Sequence, residues 1–394
     1  MIRPAVSVGS IIEASSATEF TALWDRDAEW DRRIEMIATA RSFLHLSTLY
    51  VEWDEVGREA LAELLKAQQR GVATILLIDR FGQRLGGYLM TRTDRARLRD
   101  KLNELRRAGG QVVMYSPKHV IDRYVGCGHH IKIQLSDRGE AIFGSSNLSR
   151  SSFKEWNEFS VALRGPIVDV LSRNFNELLG SSVPASTPLP SKPSLPSQNI
   201  PMDYWSYNPT EDPCRWGAFH RCQTNPLTAM LADKIRNAQH TIRLTSFYYK
   251  PARVIVEALK EATSRGVTVD IFHSNASSLN TPLPWLAAAT GYESLVRQGA
   301  NIYENQHGEH SKIILIDDKW TAFGSYNFED AADSRWAEAM LTTKDPSILA
   351  VIRAIFQGLD SDPDNELVTA EELNKWPLMQ RVSTKLFRPI KGWF

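Results

Sequence analysis

Apolar positions fall into the same succession twice along the chain. From Ala60 to Arg70, leucines at 61, 64 and 65 recur at helical spacing, the stretch stops at Arg70-Gly71-Val72, and a nearly unbroken apolar run to Asp79 follows. From Val254 to Arg265 the pattern returns, stopping at Arg265-Gly266-Val267 before a second apolar run to Phe272. Each half then has another helical stretch closed by a glycine, 102–109 and 292–299, and a short strand, 111–115 and 300–303. Helix, glycine stop and buried strand in series predict α/β layering. Further strands are expected over 131–135 and 311–316, each returning after a tight turn along 141–143 and 321–323.

The repeat is interrupted once. Between Ser181 and Pro201, six prolines alternate with serines, a composition too poor in apolar groups to fold alone. The expected division is therefore a first lobe over 1–180, a linker over 181–201 and a second lobe over 202–360. A tail over 361–394 ends in a basic and aromatic segment from Trp376 to Phe394.

A length of 394 residues, with 43% hydrophobic and 9% aromatic residues, suits two lobes with cores of their own. The 46 basic and 46 acidic residues cancel, so the whole molecule lacks the positive field that advertises a nucleic-acid partner. The first ten residues lack the apolar core of a signal peptide, and no apolar run is long enough to span a bilayer. A soluble or peripheral protein on the cytoplasmic side is expected. Three cysteines make no disulfide framework, and Cys214, His220 and Cys222 fit no standard zinc spacing, so no metal is assigned.

The candidate chemistry lies in the predicted strands. His130-x-Lys132-x4-Asp137-x6-Gly144-Ser145-x-Asn147 is repeated, 180 positions later, as His310-x-Lys312-x4-Asp317-x6-Gly324-Ser325-x-Asn327. A lone His-x-Lys-x4-Asp arises by chance on the order of a few times per hundred chains of this length; two copies with the same Gly-Ser-x-Asn continuation do not. A carboxylate follows each histidine at the same offset of 28, Glu158 and Glu338. On a strand, residues two apart point to one face, so each histidine is expected to project beside its lysine.

Such a set suits phosphodiester chemistry. A histidine with one free ring nitrogen is a nucleophile towards phosphorus when a carboxylate holds the other nitrogen, and a second histidine can protonate the leaving alcohol and deprotonate the incoming one. Lys132, Lys312, Asn147 and Asn327 are suitable donors to the phosphoryl oxygens, with Ser145 and Ser325 adding contacts. Each half supplies one histidine, so the halves must pack face to face. His45, His119, His129, His240, His273 and His307 have no repeated counterpart and are read as bystanders.

The paired motifs resemble those of the phospholipase D superfamily over roughly residues 7–360. Within it, Asp54-Glu-Val-Gly-Arg-Glu-Ala60, Asp79-Arg-Phe-Gly82, the stretch from Ala162 to Val168 and Phe247-Tyr-Tyr-Lys-Pro251 are most similar to bacterial cardiolipin synthases. The resemblance implies two phospholipase D-like α/β sandwich lobes related by pseudo-two-fold symmetry, with one active site shared between them. It also implies a two-step displacement through a covalent phosphohistidine, with no cofactor. His130 would be the nucleophile and His310 the acid and then base, the reverse assignment staying open. Ser145 stands where many such synthases have a second glycine, and the amino-terminal membrane helices of some are not seen.

The substrate class has separate signals. Leu378, Met379, Val382, Leu386 and Phe387 alternate with Arg381, Lys385 and Arg388, which suits an anionic membrane surface. Residues 85–90 and 279–286, read as loops past the strand ends or equally as helices capping the core, put apolar groups on both expected rims of the cleft in the first case. Arg92, Arg95, Arg97 and Arg99 form the one dense basic stretch, suited to a lipid phosphate or a nucleic acid. The expected function is transfer of a phosphatidyl group from phosphatidylglycerol or a related phospholipid to an alcohol or phospholipid acceptor by a peripheral enzyme. No nucleic acid or obligate protein partner is expected. The alternatives are a hydrolytic phospholipase D and a nuclease or phosphodiesterase of the same superfamily.

Overall fold

The computed structural model describes residues 11–180, 199–212, 224–279 and 282–375. In chain order the strands of the first half are β1 (Ile12–Ala17), β2 (Glu19–Leu23), β3 (Phe43–Thr48), β4 (Ala73–Asp79), β5 (Gln111–Tyr115), β6 (Gly128–His129), β7 (Lys132–Ser136), β8 (Glu140–Gly144) and β9 (Ser160–Arg164). Those of the second are β10 (Ile200–Tyr207), β11 (Thr241–Ser246), β12 (Thr268–Ser274), β13 (Asn301–Asn305), β14 (Ile313–Ile316), β15 (Trp320–Gly324), β16 (Trp336–Thr343) and β17 (Asn365–Leu367).

They form two mixed sheets. The first has the order β2-β9-β8-β7-β3-β4-β5 and the second β1-β10-β16-β15-β14-β11-β12-β13-β17. Without its two edge strands, the second order is the first repeated, down to the parallel trio β11, β12 and β13 that matches β3, β4 and β5. Strand β1 joins the sheet of the other half, pairing antiparallel with β10 from Ile12 opposite Trp205 to Ala17 opposite Ile200. After Thr18 the chain enters β2 of the first sheet, so one short segment ties the two sheets together.

Local chemistry explains the elements. Strand β4 is apolar and buried along nearly its whole length, because Leu76 and Ile78 pack in the cluster of helix Glu55–Gln69 while Ile75 and Leu77 pack in the cluster that contains helix Ile167–Leu179. The helix expected over 60–70 spans Glu55–Gln69, started by Asp54, whose carboxylate accepts from Gly57 N at 2.8 Å. Its repeat partner is Arg253–Ser264, burying Ile255, Ala258, Leu259 and Ala262.

One apolar cluster passes through both lobes. It joins Phe143, Phe159 and Ile133 to Ile313, Phe323 and Leu341, together with helices Ile167–Leu179 and Pro346–Ser361. Phe159 meets Phe323 edge to face at 5.3 Å. The lobes therefore meet through a dry core, and their relative placement is as fixed as any core contact.

The structure departs from the sequence reading in several places. Most of the stretches 85–90 and 279–286 is helical: helix Arg80–Leu89 covers 85–89 and helix Pro282–Ala289 covers 282–286. Glycines at 82, 86 and 87 hide the first helix by their low propensity, while the buried carboxylate of Asp79 caps it on Gly82 N at 2.7 Å. The histidines also stand outside the strands: β7 begins at Lys132 and β14 only at Ile313. Strand β10 begins within the Pro/Ser stretch, at Ile200. Residues 181–198 of that stretch, the Cys214, His220 and Cys222 group and the tail from Trp376 lie outside the described residues. Among the described residues, no helix is long and apolar enough to cross a membrane.

Candidate active site

The two histidine loops leave their strands because each pairs with the other lobe. His130 N donates to Ala337 O at 2.9 Å, and His310 N donates to Asn157 O at 2.8 Å. Strand β6 runs parallel to the start of β16, with His129 opposite Ala337, and Glu309 bridges Asn157 in the same sense. Each loop is thus stitched to the segment that immediately precedes the other lobe's glutamate.

The carboxylates are exchanged in consequence. His130 Nδ1 lies 3.1 Å from Glu338 Oε1, and His310 Nδ1 lies 2.8 Å from Glu158 Oε2. Ser145 Oγ donates to Glu158 and Ser325 Oγ to Glu338, so each serine fixes the carboxylate of its own lobe, which faces the histidine of the other. His130 Nδ1 is also 2.9 Å from Ser325 O, a carbonyl contact that favours the Nδ1-protonated tautomer and leaves Nε2 with the lone pair. Both histidines are almost closed off from solvent, at 5% and 4% exposure.

Lys132 and Lys312 are buried between these groups, and each ammonium donates back to the carbonyl of its own histidine, Lys132 at 2.7 Å. Asn147 accepts from Thr48 Oγ1 and Leu49 N, both at 3.3 Å, which leaves its amide nitrogen buried with no hydrogen-bond partner. Asn327 Nδ2 instead donates to Glu329 Oε1 at 3.3 Å. An indole lies beside each histidine ring. Trp156 stacks on His310 at 4.9 Å, with Phe247 on it edgewise at 4.5 Å, and Trp336 is 6.0 Å from His130. The matched tryptophans sit two positions before the glutamates, a repeat visible in the sequence that was not read as functional.

Asp137 and Asp317 are not brought to this centre. About 16 Å of strand separates Asp137 from Lys132. Its carboxylate accepts from Arg41 N and Ser42 N, at 3.1 and 2.8 Å, and Asp317 accepts from the amides of Gln239, His240 and Thr241. These aspartates hold the chain entering β3 and β11, so spacing shared with the histidines reflects the fold rather than contact with the reacting groups.

The motif glycines have a steric reason. A Cβ on Gly324 would stand 2.3 Å from Ala339 O and 2.9 Å from the Phe143 ring of the other lobe. Gly324→Ala is therefore expected to cost roughly 1–3 kcal/mol of stability, read as a lower urea midpoint with an unchanged slope.

Electrostatically the pseudo-symmetry is broken. Burial pushes the Glu158 carboxyl up, but His310 and Lys312 outweigh it and hold it down at about 2. Burial pushes Glu338 up to about 8 against the pull of Lys132 and Lys312. Burial lowers both histidines, His310 to about 3 even with Glu158 opposing, and His130 further disfavoured by Lys132 and Lys312. Burial also depresses both lysines, Lys312 to about 8. The two carboxyls are thus shifted in opposite directions: Glu158 is held as the carboxylate and Glu338 is pushed towards its protonated form. A second asymmetry is the buried pair Lys250–Glu329, 3.4 Å apart, which has Glu52 and Ser149 at the corresponding places in the first lobe.

The chain matches the profile of the cardiolipin synthase, PLD-like domain family over residues 34–179 and 231–359. It belongs to that family. With it comes membership among the phosphatidyltransferase-type enzymes of the phospholipase D superfamily, and the two sheets are the two lobes of that fold. The family member is 26% identical to cardiolipin synthase B of Salmonella typhi over 344 residues, 82% of this chain and 76% of that protein. It is 24% identical to cardiolipin synthase 2 of Staphylococcus epidermidis over 389 residues, covering 94% and 74%. Its fold is similar to that of a phosphatidylserine synthase from Haemophilus influenzae, with a TM-score of 0.71 at 16% identity over 97% of this chain and 95% of that one.

Proposed function

We propose that this enzyme moves a phosphatidyl group from phosphatidylglycerol or a related phospholipid to an alcohol through a covalent phosphohistidine, with His130 as nucleophile and His310 as acid and then base. The exchange of carboxylates between the lobes carries this reading. His310 faces Glu158, which opposes the lowering of its pKa by burial and stabilises the imidazolium that forms when it carries the proton of the acceptor or leaving oxygen. His130 faces a backbone carbonyl and a carboxyl pushed towards its protonated form, which favours neutral imidazole with a free Nε2 lone pair.

In the first step Nε2 of His130 bonds to phosphorus as the bond to the head-group oxygen breaks, and His310 gives that oxygen its proton. In the second, the acceptor oxygen bonds to phosphorus, its proton goes to His310, and the bond to His130 breaks. Lys132, Lys312 and the unpartnered amide of Asn147 stabilise the phosphoryl oxygens in both steps. The closed surroundings of the histidines favour an alcohol over bulk water as second nucleophile. The enzyme acts as a peripheral protein on the inner face of the cell membrane, with residues 376–394 contributing affinity for anionic lipid.

Incubating the protein with phosphatidylglycerol vesicles, with and without phosphatidylethanolamine or glycerol, and analysing products by mass spectrometry tests this. Cardiolipin or a new phosphatidyl alcohol, absent with His130→Ala, is the expected result. Phosphatidic acid as the sole product would replace transfer by hydrolysis.

A further inference from the structure

Helix Arg80–Leu89 is turned inside out for a surface helix. Its glycines face the protein: a Cβ on Gly82 would meet Leu49 at 2.3 Å, and one on Gly86 the Tyr50 ring at 3.0 Å. Its large apolar side chains face water instead, with Leu85 43%, Tyr88 79% and Leu89 48% exposed. A helix that only covered a core would place these residues the other way.

A second apolar segment adjoins it. Val120, Ile121 and Tyr124 are 61%, 57% and 74% exposed, and the chain then turns at Gly126 against the Phe81 ring, where a Cβ would stand 3.1 Å away. Six of the eight large hydrophobic residues exposed among the described residues belong to these two segments, so the exposure is concentrated rather than scattered. Exposed cations flank them, Arg80 and Arg84 on the helix and Lys118 and Arg123 beside the second segment, with Lys118 also 3.2 Å from Glu211. Helix Arg80–Leu89 contains no acidic residue, and Asp122, the one between Pro117 and Gly126, is buried.

The patch is continuous with the candidate active site. Phe81 is 6.0 Å from Trp336, and Trp336 is 6.0 Å from His130. From Tyr124 the chain itself runs directly to His130.

We propose that the outward face of helix Arg80–Leu89, with Val120, Ile121 and Tyr124, docks the enzyme on an anionic bilayer and presents lipid to the cleft along Phe81 and Trp336. The inference rests on the reading of a phospholipid as substrate, and it places membrane contact on the first lobe in addition to the tail. Apolar side chains with a basic border are the pattern by which a surface helix enters the head-group region.

The test is co-sedimentation of the full chain with phosphatidylcholine vesicles, with and without phosphatidylglycerol. The variants are Leu85→Glu/Tyr88→Glu/Leu89→Glu, Ile121→Glu/Tyr124→Glu and Arg80→Gln/Arg84→Gln. Each acidic variant is expected to lose about tenfold or more in partitioning, with an unchanged thermal midpoint because the altered side chains already face water. The arginine variant loses affinity only for vesicles containing phosphatidylglycerol, and Tyr88→Trp retains binding. Partitioning within twofold of the parent in both acidic variants overturns the proposal. So does a parent dimer that the acidic variants convert to monomer, since a second copy would then be the occupant. Turnover of detergent-dispersed phosphatidylglycerol without vesicle binding by the parent overturns docking alone. Vesicle binding lost in the acidic variants, with no phospholipid turnover by the parent in any form, leaves docking standing and removes the transferase reading.

Discussion

His130→Ala and His310→Ala are each expected to lower turnover by on the order of 10⁴-fold or more, and on the proposed mechanism the two losses differ in kind. Without His130 there is no atom to take the phosphatidyl group, and no substrate restores the reaction. Without His310 the nucleophile remains and the missing part is a proton for the leaving oxygen. A p-nitrophenyl phosphodiester leaves without that proton, so His310→Ala is expected to release nitrophenol in a burst and retain the phosphorus label on His130. Intact mass and peptide mapping read the label. A label on His310 in the parent protein reverses the two roles, and near-normal activity in either alanine variant removes the shared site altogether. Because both histidines are buried at one lobe boundary, mixing the two inactive proteins is not expected to restore activity.

The glutamates separate the two halves further. Glu158→Gln removes a charge that His310 faces at 2.8 Å, and turnover is expected to fall about 10²- to 10⁴-fold, the range for loss of an acid–base catalyst. Glu338→Gln exchanges a carboxyl that burial pushes towards its protonated form for a neutral amide of the same shape, and about tenfold or less should be lost. The pH profile supplies the sign. Burial raises Glu338 to about 8, so it gains a negative charge as pH rises through that value; burial lowers Lys312 to about 8, so it loses its positive charge over the same range. Both changes oppose a phosphodiester anion, and kcat/KM is expected to fall above about pH 8. In Glu338→Gln the glutamate no longer contributes to this fall, and the alkaline limb becomes shallower. Equal losses in the two glutamine variants, with identical profiles, would sink the asymmetric assignment.

What could be read from the chain was what is periodic. Apolar positions at helical spacing and nearly unbroken apolar runs located the paired helices and strands, since burial follows directly from side-chain order. Helix Arg80–Leu89 stayed undecided between loop and helix because its packing depends on glycines, which carry no apolar signal. Asp137 and Asp317 were grouped with the reacting residues because a motif records shared spacing and not shared contact, and their carboxylates serve the backbone at the other end of the strand.

The sequence by itself determined that two equivalent halves exist, that each carries a histidine, a lysine, a serine, an asparagine and a glutamate, and that they must meet. Only the tertiary structure decided which glutamate serves which histidine. The offset of 28 residues is the same within a lobe and says nothing about partners across the boundary, whereas the bridges from β6 to β16 and from Glu309 to Asn157 set each histidine against the other lobe's carboxylate. It also set the direction in which each carboxyl is shifted. That depends on the field of every charge buried nearby, a three-dimensional sum that two copies of one motif do not reveal.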